Sequence, residues 1–193
     1  MGLWLLQECR RAWSHKVNYS WSEMVDLSIH AQPFKCLIDP DDPSFLNPAE
    51  MPEAIIGFCL KTGQNPPETH GEFIRCIFES LAMKYRLTLE SIRSVISYPI
   101  EKVHIIGGGA NNDLLCQYTA NALGIPVVAG PTEATAIGNI MIQAKALQQV
   151  SSMQEIRAMV ANSFETKTFT PHEPEIWQSQ MARFKKILSL GGQ

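Results

Sequence analysis

The sequence predicts an α/β fold, because short β-branched segments alternate with helical segments in its second half. Two candidate strands, at residues 103–106 and 125–129, are each followed closely by a segment with apolar residues at helical spacing. These helices are expected at residues 112–122 and 133–147. Since the connections are short, the order strand, helix, strand, helix predicts a parallel sheet with right-handed crossovers.

The remainder of the chain is predicted to be mostly helical. Helices are expected at residues 2–13, 22–30, 55–61 and 153–160. A strand is expected at residues 34–38, and residues 39–52 are expected to form an ordered loop because they are rich in proline and aspartate. A last helix is predicted from one apolar stripe formed by Trp177, Met181, Phe184 and Leu188.

The longest predicted helix also carries a single apolar stripe. Its members recur at steps of three and four residues: Ile74, Ile77, Phe78, Leu81, Tyr85, Leu89, Ile92 and Val95. At about 3.6 residues per turn the stripe extends over roughly seven turns. We expect this helix to cover a sheet.

Composition and charge exclude several classes of partner. The 16 Lys and Arg against 19 Asp and Glu give a net charge of −3, and no basic tract indicates a nucleic-acid or lipid-headgroup partner. No apolar run approaches the ~20 residues that span a bilayer, so no membrane segment is expected. The first residues, MGLWLLQECRRAW, have their charges after a short apolar stretch, unlike a signal peptide. We therefore expect a cytoplasmic protein.

The five cysteines do not form a recognisable ligand or disulfide pattern. They are Cys9, Cys36, Cys59, Cys76 and Cys116. No CxxC pair and no ligand spacing with histidine is present, so neither a metal site nor a disulfide framework is predicted. Reduced thiols in or near the core are expected. The sequence leaves open whether Cys59 and Cys76 pair across a loop.

The strongest functional signal is a glycine-rich bend. Gly107, Gly108 and Gly109 directly follow the first strand, and the next helix begins near Asn111 and Asn112, where capping is expected. Glycines let a flat or charged ligand lie against the main chain. A helix that begins there directs its free amide hydrogens towards that ligand, at the carboxyl end of a parallel strand. The pattern therefore favours an anion or a phosphate.

The sequence allows two other interpretations of this bend. One is a tight strand-to-helix turn without a ligand. The other is a dinucleotide-binding fold, whose G-x-G-x-x-G pattern Gly107 and Gly109 begin but no third glycine completes. The acidic residue expected after the next strand is also missing, because Gly130 and Pro131 occupy its place and Glu133 comes later. The sequence therefore favours a ligand-binding bend that is not a dinucleotide site.

The segments around this bend resemble a known family. GGGANNDLLCQ and AGPTEATAIGNIMIQA are similar to the adenosine-binding segment of the FGGY carbohydrate kinases, and GEFIRCIFESLAMKYR resembles the family's second signature helix. The resemblance implies the actin-like, ribonuclease-H-like ATPase fold. Residues 1–193 are then expected to form an incomplete C-terminal lobe with additional helices, preceded in the intact kinase by an N-terminal sugar-binding lobe and by the first strands of this lobe.

Three further segments are similar to the family member that acts on L-rhamnulose: MGLWLLQECRRAW, DPDDPSFLNPAEMP and FETKTFTPHEPE. This resemblance implies transfer of the γ-phosphate of ATP to L-rhamnulose, with Mg²⁺ bound to the nucleotide. The alternatives left open are another ketose, such as L-fuculose or D-xylulose, and a non-catalytic nucleotide-binding lobe.

The same resemblance implies which residues touch ATP. Gly108, with its neighbours Gly107 and Gly109, corresponds to the family's ATP-contacting glycine turn, and Gln7 corresponds to an ATP-contacting glutamine. Gln7 is expected at the border of an apolar helix face. Asn112 is a further candidate, although helix capping is its expected use.

No catalytic residue is expected in this chain. By the resemblance, the general-base aspartate precedes Met1, so we expect the chain alone to be inactive. Asp39, Asp41 and Asp42 are interpreted as turn residues, and Asp113 as a favourable charge in the first turn of a helix. With only two strands predicted for the parallel sheet, an open sheet edge is expected to cause self-association or low stability.

Overall fold

The computed structural model describes residues 2–192. The helices are α1 (Trp4–Trp13), α2 (Trp21–Ile29), α3 (Met51–Lys61), α4 (His70–Arg93), α5 (Asp113–Leu123), α6 (Ala134–Ala146), α7 (Met153–Ser163) and α8 (Pro174–Gly191). The strands are β1 (Val103–Ile105), β2 (Val127–Ala129) and β3 (Lys167–Phe169). The chain forms two compact units, a sheet unit (Tyr98–His172) and a helical unit made of the described residues on either side of it. No helix in residues 2–192 is long and apolar enough to cross a membrane.

Helix α4 is the centre of the helical unit. It begins with a capping box, in which Thr69 and Glu72 each accept a hydrogen bond from the other's backbone N–H. Helix α4 contacts mainly α2, with further contacts to α1 and α8. Gly71 allows the close approach of α2, because a Cβ there would lie 2.4 Å from the backbone oxygen of Leu27. The expectation that this helix covers a sheet is therefore wrong, since its main contacts within residues 2–192 are to helices. The predicted stripe also ends early, because Ile92 and Val95 are exposed.

The strand expected at residues 34–38 is also wrong. This stretch, the buried segment 34–38, is irregular: Phe34 lies in a turn with φ +51°, and the amides bond to side chains instead of a neighbouring strand. The N–H groups of Phe34, Leu37 and Ile38 donate to Glu79 Oε2 (2.8 Å), Gln64 Oε1 (3.0 Å) and Ser80 Oγ (2.9 Å). Polar side chains of α4 and of the loop after α3 thus satisfy backbone groups that a sheet would otherwise satisfy.

The proline- and aspartate-rich loop is confirmed, with a single 3-10 turn at Pro43–Phe45. Asp42 caps that turn by accepting from the N–H of Ser44 at 2.9 Å. Asp39 accepts from the N–H of Asp41 at 3.0 Å and pairs with Lys84 at 2.7 Å. These carboxylates are turn residues, as the sequence predicts.

The sheet unit contains three strands in the order β1-β2-β3, one more than predicted. β1 pairs with β2 in parallel, as expected, and β3 adds to β2 in antiparallel register. Helix α5 contacts β2 and β3, and the side chains of Val127 and Ala129 on β2 are buried. Among residues 2–192 no strand pairs with the outer edge of β1.

Helix α6 has no buried residue. The sequence predicts one apolar face on it, formed by Ile137, Ile140, Met141 and Ala144. In the structure Ile140 is 65% exposed, and Ile142 is 51% exposed. The helix is confirmed, but its predicted face is only half-buried at Ile137, Met141 and Ala144 in the described part of the chain.

Glu79 is a buried carboxyl group at the junction of α4 and the buried segment 34–38. It accepts hydrogen bonds from Arg75 Nε and from the N–H of Phe34, both at 2.8 Å. Burial nevertheless dominates and raises the pKa of Glu79 to about 7, against the lowering effect of Arg75. The folded state therefore binds a proton at Glu79 more tightly than the unfolded state does.

This shift predicts that the folding stability supplied by Glu79 is complete below about pH 4.5 and is lost as pH rises through about 7. The side chain of Glu79→Gln stays neutral at every pH. Relative to this variant, the free energy of unfolding of the wild type should fall by up to about 3 kcal/mol between these two pH values. Urea unfolding of both proteins across this pH range measures the difference. A stability difference that does not change with pH would contradict the assignment.

Candidate nucleotide-binding site

The parallel pairing of β1 and β2 places the exits of both strands at the same edge of the sheet. The first exit is residues 106–112, and the second is residues 130–132; together we call them the strand-exit loops. Two hydrogen bonds hold the second exit, one to the last residue of β1 and one to the first exit. The N–H of Gly130 donates to the carbonyl of Ile105 at 2.9 Å, and Thr132 Oγ1 donates to Asn111 Oδ1 at 3.0 Å. Such an edge is where open α/β sheets bind ligands.

The three glycines of the bend have different roles. Only Gly107 has a positive φ, at +74°, so only there does the backbone conformation itself favour glycine. Gly108 is exposed, and a Cβ built on it would meet no atom within 4 Å. At Gly109 a Cβ would meet only Ile105 Cγ2, at an ordinary 3.5 Å. The open space beside Gly108 is therefore not required by the fold, and no neighbouring side chain fills it.

Helix α5 begins directly after the bend. A 3-10 turn over Gly107–Asn111 leads into it, and Asn112 is the N-cap, with Oδ1 accepting from the N–H of Leu115 at 2.9 Å. The predicted capping role of Asn112 is thus confirmed. Asp113 lies in the first turn, as predicted, and pairs with Lys167 on β3 at 2.8 Å. The uncapped first-turn amides and the helix dipole favour an anion at this end of α5.

The strand-exit loops offer groups that can bind a ligand. The acidic side chains of the sheet unit are all exposed: Glu101, Asp113, Glu133, Glu155 and Glu165. No cluster of three or more His, Cys, Asp or Glu in residues 2–192 is arranged to hold a metal ion. The loops can hold a ligand through backbone amides and open glycine surface.

Gln7 belongs to the helical unit, on α1. The apolar face of this helix is formed by Leu5, Leu6, Cys9 and Trp13, which are buried. The Gln7 side chain is exposed, so its expected place at the border of the apolar face does not bury the amide. Its backbone N–H bonds to the carbonyl of Leu3 at 3.0 Å.

No residue of the second strand-exit loop is among the predicted site residues, although the loop lies in a segment that resembles the family's adenosine-binding segment. Gly130 has φ +104° and precedes a cis peptide bond to Pro131. A Cβ on Gly130 would approach the carbonyl oxygen of Glu165 to 3.3 Å, so this position too is restricted to glycine. The Gly-Pro dipeptide directly after a strand was the available signal. Its contact with Asn111 through Thr132 depends on sheet pairing and is not visible in the sequence.

Comparison with known proteins decides the family. The sequence profile for the C-terminal domain of the FGGY family of carbohydrate kinases matches residues 1–147. The chain belongs to this family. It is 47% identical over 187 residues to the rhamnulokinase of Bacteroides thetaiotaomicron, which covers 97% of this chain and 38% of that protein. It is 39% identical over 173 residues to the rhamnulokinase of Bacillus subtilis, covering 90% of this chain and 35% of that protein.

Solved structures of FGGY kinases confirm the predicted fold. A xylulose kinase from Rhodospirillum rubrum superposes with a TM-score of 0.67 at 17% identity, covering 96% of this chain and 37% of that one. A gluconate kinase from Lactobacillus acidophilus gives a TM-score of 0.68 at 13% identity. These chains share the α/β, actin-like fold. The chain spans less than two fifths of the length of the two rhamnulokinases described above.

The open space at Gly108 allows a direct test of ligand binding. Gly108→Val should fold as the wild type does, because its Cβ meets no atom, yet it should weaken ATP binding in the intact kinase by about tenfold or more, or about 1.4 kcal/mol. The matched control is Gly57→Val, at an exposed position on α3 where a Cβ also meets nothing. Titration calorimetry measures affinity and thermal unfolding measures stability. Equal ATP affinity of both variants would remove Gly108 from the site.

Proposed function

We propose that this chain is the nucleotide-binding C-terminal part of an ATP-dependent kinase that phosphorylates L-rhamnulose. The intact kinase would transfer the γ-phosphate of ATP to the 1-hydroxyl of the sugar, giving L-rhamnulose 1-phosphate. The observation that carries the proposal is the identity of 47% to a rhamnulokinase across 97% of this chain. The exposed glycine bend at the carboxyl end of β1 supports it independently, because it leaves space for a flat ligand.

In this proposal the adenosine lies against the backbone of Gly107, Gly108 and Gly109. Gly108 is the closest contact, since its missing side chain leaves the space open. Asn112 contributes through its amide nitrogen, because its oxygen is bonded to Leu115. Gln7 contacts ATP through its exposed side chain.

The phosphoryl transfer itself would depend on groups outside this chain. Mg²⁺ would neutralise charge on the nucleotide phosphates, and the general base and sugar-binding groups would align the hydroxyl with the γ-phosphorus. This chain's own contribution is to bind and orient the nucleotide. The chain alone is therefore expected to have no kinase activity.

Both units are proposed to belong to one C-terminal kinase lobe that the remaining polypeptide completes. Two surfaces are left open within residues 2–192: the outer edge of β1, and the exposed side chains of Ile140 and Ile142 on α6. Relatives that are more than twice as long provide the additional chain that would cover them. The partner of this chain is accordingly the N-terminal part of the same kinase.

Without that partner, the same surfaces should favour self-association of the chain. Replacing Ile140 and Ile142 on α6 by Asn should reduce the average mass measured by light scattering, because it removes exposed apolar surface without changing a buried contact. The matched control replaces Leu46 and Leu60, which are exposed on the helical unit, by Asn as well. This control should lower the average mass less than the replacements on α6 do. A wild-type chain that remains monomeric at high concentration would contradict the expectation.

Sugar specificity is tested by assaying the intact kinase on several ketoses. We expect kcat/KM on L-rhamnulose to exceed that on L-fuculose and D-xylulose by at least about a hundredfold, which corresponds to about 3 kcal/mol of transition-state discrimination. Coupled ADP release measures the rate, and phosphorus NMR identifies the phosphorylated position. A preference for another ketose would overturn the substrate assignment but not the kinase. Sugar-dependent ADP release by this chain alone would contradict its assigned role.

A further inference from the structure

The helical unit contains an open cavity to which the proposed nucleotide binding assigns no role. The cavity is lined by residues within 19–31 and 68–71, from α2, the ends of its flanking segments and the start of α4. Its volume is about 490 Å³. Binding sites for small molecules have volumes of about 300–1,000 Å³. All of the lining residues belong to the helical unit, so the cavity does not depend on the sheet unit.

Part of the lining is a fixed group of aromatic rings. The ring of His70 stacks on the buried ring of Trp13, with centroids 4.1 Å apart and an angle of 18° between the planes. The hydroxyl oxygen of Tyr19 lies 2.9 Å from His70 Nδ1, so the two side chains share a hydrogen bond. Arg10 Nε donates to the carbonyl of Tyr19 at 2.7 Å and holds the main chain there. These polar atoms are therefore placed before a ligand binds, which lowers the entropic cost of binding.

A second part of the lining is apolar. Gly71 lets α4 approach α2 closely, since a Cβ on it would lie 2.4 Å from the backbone oxygen of Leu27. The side chains of Leu27 and Ala31 line the cavity on the α2 side of this contact. Leu27 is 37% exposed and Ala31 is half-buried, so carbon surface on both remains open to a ligand.

His30 and Glu68 add hydrogen-bond acceptors. His30 Nδ1 lies 2.8 Å from the carbonyl oxygen of Asp26, and because a carbonyl oxygen only accepts, Nδ1 carries the hydrogen. The Nε2 atom of the neutral His30 ring is then an acceptor. The carboxylate of Glu68 is exposed and lies 3.6 Å from Lys35 Nζ, a longer distance than in a good hydrogen bond.

Tyr19 and His70 add a donor. In their shared hydrogen bond, either the Tyr19 hydroxyl or His70 Nδ1 gives the hydrogen. If Tyr19 gives it, the neutral His70 ring carries its own hydrogen on Nε2; if His70 gives it, the Tyr19 hydroxyl keeps its hydrogen. In both cases one hydrogen remains for a ligand. The lining therefore presents both donors and acceptors.

The charges around the cavity favour a neutral ligand. The Glu72 carboxylate already accepts the N–H groups of Glu68 and Thr69 at the start of α4, at 2.7 and 3.2 Å, and so offsets the positive end of that helix. Burial, and to a smaller extent Lys16, lowers the pKa of His70, which keeps its ring neutral at pH 7. No lysine or arginine lines the cavity, whereas Glu68 adds a negative charge. A phosphate or a carboxylate ligand is therefore disfavoured.

The lining offers neither a metal-binding cluster nor a thiol. No group of three or more His, Cys, Asp or Glu within residues 2–192 is arranged to hold a metal ion. The five cysteines are buried and free, as the sequence predicts, so Cys59 and Cys76 do not pair. None of the five lines the cavity. A ligand would be held by hydrogen bonds and apolar contacts.

We propose that this cavity binds a neutral, polyhydroxylated molecule of monosaccharide size. Sugar hydroxyl groups both donate and accept, so they can donate to the Glu68 carboxylate and to His30 Nε2. Another hydroxyl group accepts the hydrogen that Tyr19 and His70 leave available. No covalent bond is made or broken.

The carbon skeleton of such a ligand matches the apolar part of the lining. One face of a sugar ring carries mainly C–H groups, which pack against Leu27 and Ala31 without leaving a polar group unpaired. None of the lining residues is assigned to the nucleotide, so this site does not rest on the proposed kinase function.

A sugar titration of the purified, ¹⁵N-labelled chain tests the site. The probes are L-rhamnose and D-fructose at millimolar concentrations, with inorganic phosphate as the anionic probe. We expect both sugars to cause saturable shifts of the backbone amide signals of His30, Ala31, His70 and Gly71. The amides of the strand-exit loops, which report the nucleotide, should not shift with sugar. The two proposals can therefore fail separately.

Two variants identify the groups that bind. His30→Ala should weaken sugar binding about fivefold, because one hydrogen bond is lost. The matched control is His15→Ala, at an exposed histidine of the same unit outside the cavity, which should bind sugar as the wild type does. Glu68→Gln should also weaken sugar binding, because a neutral amide accepts more weakly than a carboxylate. Thermal unfolding checks that each variant is folded.

Two results would overturn the site: no saturable shift of the cavity amides with either sugar, or equal sugar affinities of His30→Ala and His15→Ala. Saturable binding of inorganic phosphate that Glu68→Gln strengthens, without binding of either sugar, would overturn the assignment of a neutral ligand.

Discussion

The candidate site depends on the parallel pairing of β1 with β2. That register brings Ile105 beside Ala129, so the two strands end together and their exit loops meet. The hydrogen bond from Gly130 N–H to the carbonyl of Ile105 then fixes the second loop against the end of β1, and Thr132 bonds to Asn111 in the first loop. Gly107 supplies the positive φ that turns the chain into α5, and the surface beside Gly108 stays open. Without this pairing the glycines would be a turn with no defined neighbour.

In the helical unit, side chains take the place of a neighbouring strand in pairing buried backbone groups. Its buried segment 34–38 has no strand partner, and Glu79, Gln64 and Ser80 accept its hydrogen bonds instead. Burial of the Glu79 carboxyl group beside this segment raises its pKa. The proton affinity of Glu79 is thus a consequence of burying an irregular segment among helices.

The sequence predicts individual helices and strands better than it predicts which segments bond to them. Helix α4, the strand before the glycines and the Asn112 cap were predicted because each depends on neighbouring residues alone. The strand at 34–38 was wrong, because side chains distant in sequence take its hydrogen bonds, and β3 was missed because its pairing with β2 spans the whole of α6 and α7. Within the site, Gly107 to Asn112 were identified, whereas Gly130 and Thr132 join it only through the fold.

We propose that the strand-exit loops bind an adenine nucleotide. A titration of this chain with ATP, followed by the backbone amide signals of ¹⁵N-labelled protein, tests it most directly. We expect saturable shifts of the amide signals that are largest at Gly107, Gly108, Gly109 and Asn112. Smaller shifts are expected at Gly130 and Thr132. Absence of any shift at millimolar ATP, or saturable shifts that leave these amides unchanged, would contradict it.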